Sequence, residues 1–216
     1  GTVNLGISAF SHSAKNRLLA ASRISKDILQ NESIRLIPEV HLELSKIKEI
    51  LEDMLKSMDI LVRHTRDLHL VMKPTQMEAV VKDTIERLKD LSDFKTSFTA
   101  KSCLAIIDKE RIVEVLINVI TNGVEAVPDG QRPEIRISLK NEDRWGIIQV
   151  EDNGPGIPPD LLERIFDPFE TTKARITNWG FGLSYSFKIV SAHGGKIFAE
   201  NCEEGGARFT IMLPVL

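Results

Sequence analysis

Cysteine is nearly absent: Cys103 and Cys202 are the only two in 216 residues, and neither stands at metal-ligand spacing from a histidine or another cysteine. That excludes a disulfide scaffold and a cysteine-built zinc centre, and both thiols read as buried, reduced and structural, in keeping with a cytosolic compartment. No apolar run approaches the ~20 residues that a bilayer span requires, and no signal peptide is legible. An excess of positive charge is also missing. At a net charge of −3, with no basic stripe, the chain is excluded as a non-specific nucleic-acid binder. It opens on Gly1 rather than methionine, so the expectation is an excised piece of a longer protein, with any membrane or sensory segment cut away.

What is present is an ordinary globular composition, 42% hydrophobic and 27% charged, long enough for one large or two small domains. Residues 1–72 contain one proline, Pro38, and read as two helices joined near Asn31 to Pro38. In the second, Leu44, Ile47, Leu51, Met54, Met58 and Leu61 recur in steps of three and four. In the first, Ile7, Phe10, Ala14, Ala21, Ile24 and Ile28 keep the same rhythm, with Leu18 beside a gap at Arg17. Such a hairpin cannot bury both seams alone, so the expectation is a homodimeric four-helix bundle. His12 falls two positions after Phe10, which turns it to the outward face of its helix.

Pro74 marks the boundary to a second domain, residues 73–216. Met77 to Leu91 is amphipathic, and Lys95 to Thr99 and Ser102 to Ile107 read as short strands. Asp108 is a helix N-cap before a run that carries Asn118 and Asn122 on one face. Glu134 to Lys140 and Trp145 to Glu151 read as a hairpin, and Lys196 to Asn201 with Arg208 to Leu213 as a closing one. The first hairpin delivers Asp152-Asn153-Gly154-Pro155-Gly156-Ile157, in which glycines tolerate φ > 0 and close approach of a flat ring while the acid accepts a hydrogen bond. Alone, that pattern also fits an ordinary strand-to-loop turn.

Four blocks in order change the weighing: the Asn118 to Ala126 run, the Asp152 to Ile157 loop, Phe166-Asp167-Pro168-Phe169, and Asn178-Trp179-Gly180-Phe181-Gly182-Leu183. Together they resemble the nucleotide-binding motifs of the GHKL ATPase superfamily, most closely the catalytic domain of bacterial histidine kinases. Phe10-Ser11-His12-Ser13-Ala14-Lys15-Asn16 resembles the phosphoacceptor box of the same kinases.

The resemblance implies a helical hairpin followed by a GHKL (Bergerat) α/β sandwich with one mixed sheet, and an activity in which His12 takes a phosphoryl group from ATP and passes it to an aspartate of a response regulator. It implies that Asp152 meets the adenine amine, that Gly154, Gly156, Ile157, Gly180, Gly182 and Leu183 line the nucleotide, and that Asn118 contacts phosphate. It implies further that Asn122 holds Mg²⁺, that Lys173 reaches phosphate with Arg175 as a weaker candidate, and that Asn16 orients water for phosphatase chemistry. Residues 174–179 are expected to form a short lid and the two phenylalanines its anchor. Superfamily members that hydrolyse ATP carry a glutamate where Asn118 stands, and an amide takes no proton, which favours phosphoryl transfer over hydrolysis.

Ser13 departs from the pattern, which usually has an acid after the histidine. That substitution keeps two rivals in view, a catalytically impaired ATP-binding scaffold and a GHKL protein serine kinase. His193, before Gly194-Gly195, reads as a structural helix-end residue, and His41, His64 and His69 as surface or linker residues.

Overall fold

In the computed structural model the described residues are 2–31, 34, 37–65, 68–89, 93–101, 103–167 and 181–216, without the side chains of 2–13, 53, 56–57, 59–65 and 181. They divide into two compact units, one within residues 1–67 and one made by residues 68–168 with 182–216.

In the first unit α1 (Thr2–Gln30) packs against α2 (Pro38–Thr65). The packed stripe of α1 differs from the expected seam by one position. Ala14, Leu18 and Ala21 are half-buried as anticipated, but Ser25 is the buried residue of the last turns while Ile24 is 60% and Ile28 38% exposed. Leu44, Leu51, Met54 and Met58 of α2 are half-buried, and Ile47 is 47% exposed. Ile7, Phe10 and Leu61 have side chains outside the described residues.

The second unit opens with β1 (Lys73–Gln76), which runs straight into α3 (Met77–Lys89). Then come β2 (Lys95–Ala100), β3 (Leu104–Ile107), α4 (Lys109–Ala126), β4 (Glu134–Glu142) and β5 (Trp145–Asp152). The short α5 (Pro159–Leu162), α6 (Phe181–Ala192), β6 (Lys196–Asn201) and β7 (Ala207–Pro214) complete it. The mixed sheet has the order β2-β4-β5-β7-β6, parallel between β2 and β4 and antiparallel elsewhere.

Beside it β1 and β3 form a separate antiparallel ribbon. Pro74, read as a domain boundary, sits in that ribbon opposite Ile106. A two-stranded ribbon tolerates it because a proline without an N–H is admissible where only one side of the strand is paired.

The core follows from alternation. Ile135, Ile137 and Leu139 of β4, Ile148 and Val150 of β5, and Phe209, Ile211 and Leu213 of β7 are buried on one sheet face. Val80, Val81 and Leu88 of α3, Leu116, Val119 and Ile120 of α4, and Ile189 and Val190 of α6 are buried with them. Asp108 caps α4 as expected, its Oδ1 accepting from the Arg111 N–H at 3.2 Å.

Asp108 does two further things. Its Oδ2 accepts the Val71 N–H at 2.8 Å, and its own N–H donates to His193 Nε2 at 3.0 Å. His193 is buried, and its Nδ1–H faces the Ile189 carbonyl at 2.8 Å, which sets the neutral tautomer. The structural reading of that residue therefore holds. Gly194, with φ +70°, ends α6, and the Gly195 N–H returns to the Val190 carbonyl at 3.0 Å, a Schellman closure.

Candidate functional site

Strand β5 ends in an acid that the fold buries. Burial alternates along Trp145–Asp152 so that Val150 and Asp152 share the inner face, and Asp152 is only 7% exposed. Its Oδ1 accepts from the Gly154 N–H at 2.8 Å and from the Ala207 N–H at 3.2 Å. Burial pushes the carboxyl above its ordinary value, and the two amide donors pull it part of the way back. With Oδ1 engaged twice, Oδ2 is the oxygen left for a donor from outside. It lies beside Gly123 of α4, where a Cβ would come within 3.1 Å of Asp152 Cβ and 3.5 Å of Oδ2.

The two motif glycines act differently. Gly156 takes φ +82°, as expected. Gly154 does not use the left-handed region open to it. What Gly154 supplies is room, since a Cβ there would stand 2.9 Å from Asp152 Oδ1 and 3.3 Å from Ala126 Cβ. Gly206, at φ +83°, lies so close under the Asp152 carbonyl oxygen that no Cβ fits between them.

Asn118 and Asn122 are both half-buried, one turn apart on α4. Asn118 Nδ2 donates to Ser186 Oγ at 3.0 Å, and that hydroxyl donates to the Gly182 carbonyl at 3.0 Å, which ties α4 to the start of α6. A Cβ on Gly182 would overlap the Asn118 amide oxygen. The glycine is thus demanded by the asparagine, independently of any ligand. Asn118 Nδ2 carries two N–H donors and gives one to Ser186, so the amide keeps both a donor and an acceptor oxygen for a ligand. Leu183 follows on α6, half-buried.

Phe166 meets Phe187 in a tilted ring pair at 6.0 Å and Phe209 edge-on at 6.5 Å, which anchors the segment after α5 into the sheet. Beside the acid, Glu151 is paired with Arg208 at 2.7 Å, and the same guanidinium meets Glu200 at 2.9 Å. Alternation puts Glu151 on the outer face of β5, so the charge next to Asp152 is neutralised outside the core.

Lys173, Arg175, Gly180, Phe169, the expected lid 174–179 and the side chain of His12 lie outside the described residues. The backbone of His12 belongs to α1, and Asn16 is an exposed residue of the same helix. Three contributors escaped the sequence reading: Gly123 against the acid, Gly206 with the Ala207 amide behind it, and Ser186 behind Asn118. Only Ser186 left a trace, as a hydroxyl on the otherwise apolar face of a helix.

The sequence family described as histidine kinase-, DNA gyrase B-, and HSP90-like ATPase matches residues 107–216. The sensor histidine kinase ZraS of Escherichia coli O157:H7 is 29% identical over 214 residues, 94% of this chain and 44% of that protein. The signal transduction histidine-protein kinase AtoS of Escherichia coli K12 is 31% identical over 211 residues, 94% of this chain and 33% of that protein. The chain thus spans less than half the length of either relative. Among solved structures, histidine kinase ThkA in complex with response regulator protein TrrA has a TM-score of 0.60 at 24% identity, over 99% of this chain and 64% of that one. That likeness is one of fold.

Proposed function

Since the chain belongs to the histidine kinase-, DNA gyrase B-, and HSP90-like ATPase family, we propose that residues 73–216 bind ATP with magnesium and that the whole is the catalytic core of a two-component sensor histidine kinase. The observation that carries the reading is the buried acid. A carboxylate with one oxygen accepting two hydrogen bonds from main-chain amides and the other left beside a glycine is a fixed acceptor for an exocyclic amine, which adenine has and guanine lacks at that place. Gly154, Gly156 and Ile157 would carry the ring edge, Leu183 and the glycines Gly180 and Gly182 the phosphates at the start of α6, and Lys173 a terminal phosphate.

Asn122, a hard oxygen donor, would hold Mg²⁺, and Asn118 would contact phosphate. The metal's contribution is charge neutralisation on the triphosphate. An imidazole nitrogen of His12 attacks the γ-phosphorus, the bond to the bridging oxygen breaks, ADP leaves and the imidazole gives up its proton. The phosphoryl group then passes to an aspartate of a response-regulator receiver domain. Support for that partner comes from ThkA, a histidine kinase solved in complex with the response regulator protein TrrA. ZraS and AtoS are sensor and signal-transduction histidine kinases by name, which supports the reading. Asn16 would serve the reverse, phosphatase reaction, and a cytoplasmic setting follows from such partners.

Residues 1–72 would dimerise. The exposed Ile24, Ile28 and Ile47 are the apolar surface that a second hairpin would cover.

Incubation with γ-labelled ATP and Mg²⁺ tests the proposal. Acid-labile label that vanishes in His12→Gln is the expected outcome. Acid-stable label would instead indicate a serine kinase, and nucleotide binding without label the scaffold that Ser13 suggests.

A further inference from the structure

The loop that leaves β5 is held from two sides by asparagine side chains. Asn153 Oδ1 accepts from the Glu134 N–H at 2.8 Å, and its Nδ2 donates to the Arg132 carbonyl at 3.2 Å. On the other side stands Asn201, the last residue of β6, 44 positions from its partner. Its Oδ1 accepts the Ile157 N–H at 2.7 Å, and its Nδ2 donates to the Ile157 carbonyl at 2.8 Å.

One side-chain amide therefore satisfies both main-chain groups of Ile157, as a neighbouring strand would. The fit is close. A Cβ on Gly156 would lie 2.7 Å from Asn201 Oδ1 and 3.4 Å from the Gly206 carbonyl oxygen, and Gly156 sits at φ +82°. Only glycine lets the loop close on the amide. The same turn, 201–207, also supplies the Ala207 N–H that holds Asp152 Oδ1 at 3.2 Å. A single hairpin end thus fixes the acid and the Gly156-Ile157 stretch relative to each other.

We propose that Asn201 is a positioning residue of the nucleotide site, which sets the Gly154 to Ile157 loop for the adenine ring through Ile157 and so determines nucleotide affinity. The inference rests on the ATP-binding reading. A loop already braced loses less conformational freedom when the ring arrives, whereas an unbraced one must be ordered by the nucleotide itself. Asn201 is solvent-exposed, so its bonds compete with water and the effect is several-fold rather than a thousandfold. Both ends of the amide are needed. Aspartate has the same size and keeps an acceptor for the Ile157 N–H, but it sets a second acceptor against the Ile157 carbonyl.

The test uses the full chain with Asn201→Ala and Asn201→Asp, measuring Mg-ATP affinity by calorimetry and the exchange rate of the Ile157 amide by NMR in nucleotide-free protein. Both variants are expected to bind ATP about 5- to 30-fold more weakly and to exchange the Ile157 proton faster, with unfolding temperatures near that of the parent. If Asn201→Asp matches the parent in both measurements, the residue only fills space and the inference fails. It fails equally if both variants bind ATP like the parent, or if exchange accelerates throughout residues 73–216 together with a large drop in unfolding temperature. A parent protein that binds no ATP would overturn the ATP reading itself, an outcome distinct from these.

Discussion

Asp152 combines two demands that oppose each other. In the proposed adenine contact it would be ionised to accept an amine, yet burial raises its pKa. The native state therefore holds the proton more tightly than the unfolded chain, so the protein is favoured on the acid side and loses stability as pH rises through the raised value. A bound amine offsets that loss by giving the charge a partner. ATP affinity should accordingly fall on acidification, starting at a higher pH than an exposed carboxylate would show, and a calorimetric pH series checks it. Asp152→Asn keeps the shape but presents a donor to a donor. Its ATP affinity should drop by about 10- to 100-fold, the value of a hydrogen bond to a charged group, and its acid-side pH dependence should vanish. Gly123→Val, placing methyls where even a Cβ would stand 3.0 Å from Ile135 Cδ1 and 3.1 Å from Asp152 Cβ, should weaken binding while leaving residues 1–67 unaffected.

At the scale of elements, the helix that carries Asn118 and Asn122 starts from an aspartate with three duties, two of its carboxylate and one of its main-chain N–H. Asp108 caps α4, receives Val71 and donates its own N–H to His193. Asp108→Ala should cost about 1–2 kcal/mol for the cap, read as a fall of roughly 2–8 °C in unfolding temperature for a protein of this length, with faster exchange at the Val71 amide.

The cap was legible because Asp before an apolar 3.6-period run is a local signal, and the β4–β5 and β6–β7 hairpins were legible by alternation. Strand β1 was not, because a proline at 74 suggests a boundary and only the pairing with β3 reveals a ribbon. The α1 stripe was misplaced by one position because Ile24 and Ile28 keep the same three-four rhythm as the Ala14, Leu18, Ala21, Ser25 row. Periodicity marks that apolar rows exist and leaves open which row the chain covers itself. In the site, the acid and its glycines were readable as a contiguous motif. Ala207, 55 residues beyond the acid it holds, and Asn201 were not, because their roles are through-space contacts between distant turns.

For the molecule as a whole, the uncovered row is the informative one. Ile24 at 60%, Ile28 at 38% and Ile47 at 47% exposure leave the helical unit with apolar surface that water disfavours, and a second hairpin is the natural cover. The combined change Ile24→Glu and Ile47→Glu should turn a dimer into a monomer by sedimentation equilibrium while nucleotide affinity in residues 73–216 stays put. Retention of the dimer would place its interface elsewhere.

The Ala207 amide that steadies the acid belongs to β7, which enters the sheet between β5 and β6. A nascent polypeptide leaving the ribosome therefore has every motif residue of the cleft in hand before it can recognise its ligand, because the amide that aims the acid is still unsynthesised. Chains arrested at residue 200 should emerge ligand-blind, and the switch to competence should coincide with docking of that late strand, so that nucleotide capture reports a finished fold.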